Sequence, residues 1–246
     1  MQHITAIGFD LFETLVLVHH LRREEAVGRI LQSLTHSGVP VVKETFVPIY
    51  RATARRFMAT AQDNGEETHN RFWISTALQE CGHAIHSEDS RIAQAVERYF
   101  SAFVDYATPI PGTPEMLAQL RQRYRLGLVS NLIHAPAALS ILDKLGLTPF
   151  FDTILVSGEV GYRKPHPKIF SALLEALGTS GAQTAFVCDN LDADVRGAQQ
   201  AGMQPIWMAY TQAQGLTPPT PTPPRVPTIT NWQELNTLLA VPTVES

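Results

Sequence analysis

Asp10 and Thr14 stand four residues apart in Phe9-Asp10-Leu11-Phe12-Glu13-Thr14-Leu15, at the end of an apolar run near the N-terminus. Side chains alternate along a strand, so a shift of one residue would aim the Asp10 carboxylate elsewhere. Three later segments carry matching chemistry: Ser130-Asn131, Lys164 in Arg163-Lys164-Pro165-His166-Pro167, and Asp189 with Asp194. Together they hold a carboxylate that can act as a nucleophile, an ammonium that can neutralise charge, and a hydroxyl and an amide that can donate to an anion. Clustered carboxylates are also hard oxygen ligands suited to Mg2+, which keeps several waters and uses few protein ligands.

The elements that must position these groups read as alternating strands and helices. Val/Ile/Leu-rich runs at Ile4–Asp10, Leu126–Ser130, Thr153–Val156, Thr184–Cys188 and Pro205–Met208 predict strands covered on both faces. Helical patterns at Pro114–Arg123, Ala135–Leu145, Pro167–Leu177 and Asp192–Ala201 lie between them, which predicts a parallel sheet with helical crossovers. Thr113-Pro114 reads as an N-cap followed by Pro, and Gly146, Gly178 and Gly202 fall where helix ends favour a left-handed residue. The four chemical segments sit at or just after strand C-termini, where open parallel sheets bind ligands.

Residues 16 to 107 break the alternation. Helical patterns at His20–Ser37, Lys43–Gln62, Asn70–Glu80 and Asp89–Asp105 predict an all-helical cap domain inserted after the first strand. Residues 1–15 and 108–246 are then the core domain, an α/β, Rossmann-like parallel sheet with helices on both faces. Pro109-Ile110-Pro111-Gly112 marks the return to the core. The Pro/Thr-rich stretch from Thr217 to Pro227 reads as a surface loop before an apolar helical pattern over Ile229 to Ala240.

Composition bounds the setting. Among 246 residues, 44% are hydrophobic and 17% charged, the mix of an ordinary globular protein. A net charge of -4 without a dense run of Lys or Arg gives no argument for nucleic acid. Cys81 and Cys188 stand far apart, which argues against a disulfide framework or thiolate metal site. No apolar stretch approaches the roughly 20 residues of a membrane helix. A cytoplasmic protein with a small-molecule substrate, no membrane and no nucleic-acid partner is expected, its oligomeric state left open.

In order and spacing, the four segments resemble the motifs of the haloacid dehalogenase-like hydrolases. That resemblance implies Asp10 as the nucleophile of a covalent intermediate, with Thr14 either orienting it or capping the turn. Ser130 and Asn131 would donate to the substrate's anionic oxygens, and Lys164 would neutralise charge. Mg2+ would be held by Asp10, the Phe12 backbone carbonyl, Asp189 and Asp194. Asp192 begins the helix, where negative charge suits the dipole.

Phe12 departs from the phosphatase pattern, which places a second Asp there to protonate the leaving oxygen. An aromatic at this position resembles the 2-haloacid dehalogenases, whose halide needs no proton and whose chemistry needs no metal. Glu13, adjacent on backbone expected to be extended, should point the opposite way. Asp189 and Asp194 argue for the other branch, since three close carboxylates against one lysine call for a divalent cation. The expectation is a Mg2+-dependent phosphatase acting on a small phosphorylated metabolite. A metal-independent 2-haloacid dehalogenase is the alternative, followed by a non-catalytic phosphate- or metal-binding protein. A phosphonoacetaldehyde hydrolase-like reaction would require a cap lysine; Lys43, the lysine there, stands at a helix start. In the cap, Arg51 and Arg55 share one helix face, which either meets a substrate anion or is solvated. With Phe12 they are the candidate specificity residues. Phe72 and Trp73 read as cap core, and His19 and His20 carry no assignment.

Overall fold

The computed structural model describes residues 3–18 and 22–239; His19, His20 and Ala240 lie outside the described residues. The chain begins with β1 (Ala6–Phe9) and β2 (Val16–Val18), then runs through α1 (Arg22–His36), α2 (Lys43–Asn64), α3 (Asn70–Glu80) and α4 (Ser90–Asp105). It returns through β3 (Ala107–Pro109), α5 (Thr113–Leu120), β4 (Arg125–Ser130), α6 (Ala135–Lys144), β5 (Thr153–Val156) and a single-turn α7 (Ser157–Val160). There follow α8 (Pro167–Leu177), β6 (Thr184–Cys188), α9 (Arg196–Gln200), β7 (Gln204–Met208), α10 (Tyr210–Ala213), β8 (Thr228–Ile229) and α11 (Trp232–Leu239).

Six strands form one parallel sheet in the order β5-β4-β1-β6-β7-β8. Alternation along β1 sends Ile7 and Phe9 into one hydrophobic cluster and Ala6 into the other, so both sheet faces are covered. On the second face α8 packs so close that a Cβ at Gly8 would come within 2.8 Å of Leu173, and one at Gly127 within 2.5 Å. These glycines let the helix seat against β1 and β4.

β2 and β3 pair antiparallel, Val16 opposite Pro109 and Val18 opposite Ala107, where the chain leaves the sheet and where it returns. Between them α1 to α4 bury Ile30, Leu34, Phe46, Ile74, Leu78, Ile92 and Val96 in an apolar cluster continuous with Ile7 and Phe9 of the sheet. The helical unit touches the sheet domain at several points. Lys144 Nζ donates to the Val104 and Asp105 carbonyls at 2.6 and 3.0 Å, satisfying the C-terminal end of α4. The loop after α2 bridges to the Lys164 segment, with Arg163 N–H donating to Gly65 O and Glu67 N–H to Gly161 O, both 3.0 Å.

Several local expectations are corrected. Gly112, at φ 81°, occupies the N-cap of α5, so Thr113 is the first helical residue. Its hydroxyl instead donates to the Leu15 carbonyl at 3.3 Å and accepts from the Trp232 indole at 3.1 Å, tying α11 to the start of α5. The helix expected over Asp192–Ala201 opens as a π-type turn, Leu191–Val195, before α9. Residues 228–229 extend the sheet as β8, so the terminal helix starts at Trp232. Gly146, Gly178 and Gly202 adopt the expected left-handed conformation.

Candidate active site

Asp10 follows the last residue of β1, and its N–H donates to the Val187 carbonyl at 3.0 Å, which seats it between β1 and β6. Thr14 Oγ1 donates to Asp10 Oδ2 at 3.2 Å, so the threonine orients the carboxylate. Lys164 Nζ lies 2.5 Å from Asp10 Oδ1 and 2.8 Å from Asp194 Oδ1, and donates to the Val129 carbonyl at 2.9 Å. All three charged groups are buried.

Asp189 and Asp194 come from the loop after β6. The Trp207 indole donates to the Asp189 carbonyl at 2.7 Å. Asn190 caps the turn, its side chain accepting from the N–H groups of Asp192 and Ala193, while its carbonyl accepts from Asp194 N–H. Asp192 is exposed and pairs with Arg196 at 3.0 Å, away from the buried cluster. Carboxylate oxygens of Asp10, Asp189 and Asp194 lie within 4.8 Å of one another.

Electrostatics in this cluster are strained. Burial, with Asp10 and Asp194 close by, pushes the Asp189 carboxyl well above the usual carboxylate range. Burial likewise raises Asp194 to about 6, against the pull of Lys164. Burial also works against the Lys164 charge, but the two carboxylates outweigh it and hold its pKa above that of an ordinary lysine.

Asn131 does something the sequence did not suggest. Its side-chain oxygen accepts from Lys164 N–H at 2.8 Å and its amide donates to Lys164 O at 3.0 Å. It clamps the lysine segment, leaving one amide hydrogen for a substrate. Ser130 is fully buried, and its hydroxyl has no partner among the described residues.

Phe12 and Glu13 border the same cavity as Asp10, Lys164, Asp189 and Asp194, about 710 Å³ in volume. The Phe12 carbonyl accepts no backbone hydrogen bond among the described residues. Glu13 corrects an expectation: its φ is 63°, left-handed, so extended-strand alternation does not govern it. Its charge contributes to the raised pKa of Asp189.

A second cavity, about 740 Å³, lies between the helical unit and the strand ends, and Asn131, Gln62 and Arg163 line both. Arg51 and Arg55 border it from α2, and neither makes an ion pair among the described residues. Trp73, expected as cap core, is buried and also lines this cavity. Phe72 points outward, 36% exposed. The motif pattern does not single out Arg163, although it adjoins Lys164; it stands 3.7 Å from Glu67, which accepts from Ser157 Oγ at 2.5 Å. Nor does it single out Asn190, although Asn after a strand and before a helical run signals a cap.

The model of the haloacid dehalogenase-like hydrolases matches residues 4–202. This chain belongs to that family. It is therefore a hydrolase, built on the parallel sheet and helical insert that the motifs implied. A glyceraldehyde 3-phosphate phosphatase of Methanothermobacter thermautotrophicus is 33% identical over 207 residues, 82% of this chain and 84% of that protein. Its counterpart from Methanopyrus kandleri is 34% identical, over 53% of this chain and 56% of that protein's length. Among solved structures, the 2-haloacid dehalogenase of Pseudomonas syringae superposes with a TM-score of 0.70 at 23% identity, covering 96% of this chain and 98% of that one. A HAD-hydrolase of Bacillus subtilis bound to magnesium gives 0.64 at 22% identity, covering 98% and 100%. At these identities the structural likeness speaks for the fold alone. No helix among the described residues is long and apolar enough to cross a membrane.

Proposed function

We propose that this hydrolase is a Mg2+-dependent phosphatase of a small phosphorylated metabolite, with residues 1–15 and 108–246 as its catalytic domain and 16–107 as a cap. The carboxylate cluster carries the reading. Asp10, Asp189 and Asp194 crowd one point beside the Lys164 ammonium, and burial, with the neighbouring carboxylates adding to it, raises the pKa values of the acids after β6. The donors are all oxygen, as Mg2+ requires, and the Phe12 carbonyl has free lone pairs to complete the set. Bound there, Mg2+ would offset the excess charge and draw electron density from phosphoryl oxygens. The phosphatase names of sequence relatives support the same branch.

The residues divide the work as follows. Asp10, oriented by Thr14, attacks phosphorus and forms an aspartyl phosphate as the bond to the leaving oxygen breaks. Lys164 neutralises the attacking carboxylate and the incoming phosphoryl charge. Ser130 and the remaining Asn131 N–H donate to phosphoryl oxygens. Water then cleaves the aspartyl phosphate and restores Asp10. A cytoplasmic setting suits the two free thiols.

Phe12 favours a second reading, a metal-independent 2-haloacid dehalogenase in which Asp10 attacks carbon and halide departs. Turnover of p-nitrophenyl phosphate and L-2-chloropropionate, each with Mg2+ and with chelator, separates the two. Mg2+-dependent nitrophenol release, abolished in Asp189→Asn, is the expected outcome. Chloride release that ignores chelator would establish the dehalogenase instead.

A further inference from the structure

The second cavity bears on which phosphate ester this site turns over, an inference resting on the phosphatase reading. Much of its wall is apolar or aromatic: Met58, Trp73, Tyr99, Phe100, Phe103 and Ile133. It adjoins the reacting cavity through Asn131, Gln62 and Arg163. A leaving group bound at Asp10 therefore has a large, mostly apolar space to occupy. Trp73 is 6% exposed, and its indole N–H has no acceptor among the described residues. A short polyol would leave these rings unmatched.

Two further features narrow the class. Arg51 and Arg55 border the cavity without ion-pair partners among the described residues, while of its acids Glu67 is engaged by Arg163 and Ser157 and Glu24 is exposed. Arg51 and Arg55, themselves exposed, thus bring positive charge to this cavity for an anionic substituent. At the reacting end, Phe12 lines the cavity with a ring that offers no proton to a departing oxygen, and Glu13, which lines it too, acts there as a charge raising Asp189.

We propose that the substrate is an aryl phosphate bearing a carboxylate: the phosphate at Asp10 and Lys164, the ring in the apolar cavity, the carboxylate at Arg51 and Arg55. Asp10 displaces the phenolate, which keeps the electron pair of the broken phosphorus–oxygen bond and is stable enough to leave unprotonated. Water then attacks the aspartyl phosphate. The proton it releases balances the one the phenolate takes up from solvent, and Asp10 returns as a carboxylate.

Steady-state kinetics with Mg2+ on 4-carboxyphenyl, phenyl, ethyl and acetyl phosphate test this. Acetyl phosphate has a good leaving group but is too small to fill the cavity. The two aryl esters should exceed ethyl phosphate in kcat/KM by at least about 100-fold, the scale of a missing general acid. The carboxylate should add about tenfold over phenyl phosphate, and Arg51→Ala with Arg55→Ala should erase that increment. Ala54→Leu and Ala54→Trp, which fill the cavity from α2, should lower the ratio of 4-carboxyphenyl to acetyl phosphate turnover about tenfold. Ethyl phosphate turned over as well as the aryl esters, or ratios unmoved in the filled variants, would overturn the substrate class while leaving the phosphatase reading intact. Phosphate release from none of the four esters would overturn both.

Discussion

Lys164→Met tests the charge balance on which the site depends. The ammonium stands 2.5 Å from Asp10 and 2.8 Å from Asp194, with almost no exposure to water. At an effective dielectric constant of about 20, each contact is worth about 6 kcal/mol of direct attraction. Much of that is offset by desolvation, and removing one partner of a buried ion pair costs about 3–5 kcal/mol because the remaining charge is left uncompensated. Met keeps the length and apolar stem of the side chain, so little packing is lost. Urea unfolding at pH 7.5 with chelator should show the midpoint falling by about 1–2 M, taking an m-value of about 3 kcal/mol/M. Mg2+ should then raise the midpoint more in the variant than in the wild type, because the cation replaces the missing positive charge beside the same carboxylates. A midpoint shift below about 0.3 M, or a Mg2+ response no larger than that of the wild type, would refute this account of the cluster.

Phe12→Asp should raise turnover of alkyl phosphates by at least about tenfold and that of aryl phosphates much less, because a general acid helps most where the leaving oxygen is basic; equal gains for both, measured as kcat, would count against the missing-acid argument. His69 is held at a pKa of about 4 by burial and by His134, whose Nδ1 lies 3.3 Å from its Nε2. Folding therefore excludes a proton that the unfolded chain binds, and stability contributed by neutral His69 is lost as pH falls from about 6.5 towards 4. His69→Asn, which keeps a cap for the Arg71 N–H that His69 now accepts, should gain on the wild type by about 1–2 kcal/mol across that window after allowance for solvent screening. A stability difference between the two proteins that stays constant with pH would contradict the assignment. Gly197→Ala would place a Cβ 2.4 Å from the Phe170 ring and 3.1 Å from Pro165 Cα, beside Lys164. Overpacking there should cost about 1–3 kcal/mol, read as a drop in thermal midpoint, and should reduce turnover by shifting the lysine segment.

Five of the six sheet strands, the helical insert and the set of groups at the strand ends were legible in the sequence, while β8 and the strand order were not. Those features are local: an unbroken apolar run, a helical period, or a carboxylate one residue beyond a strand. Asp10, Lys164, Asp189 and Asp194 could be brought together on paper because a parallel sheet collects its strand C-termini on one side. Tertiary structure decided what each of them touches. Asn131 meets the Lys164 backbone across 33 positions of chain, and no periodicity reports that pairing. Thr113 looked like a cap from its neighbours, yet Trp232, 119 residues away, takes its hydroxyl. Glu13 lies in a left-handed turn beyond the end of β1, its N–H donating to the Val16 carbonyl, where strand alternation has ended. Arg51, Arg55 and Trp73 acquire a shared cavity only once α2, α3 and α4 stand over the strand ends. Local patterning selects elements through backbone and solvent preferences, whereas a site is made by contacts between elements, and their geometry is set by how the helical unit and the sheet pack together.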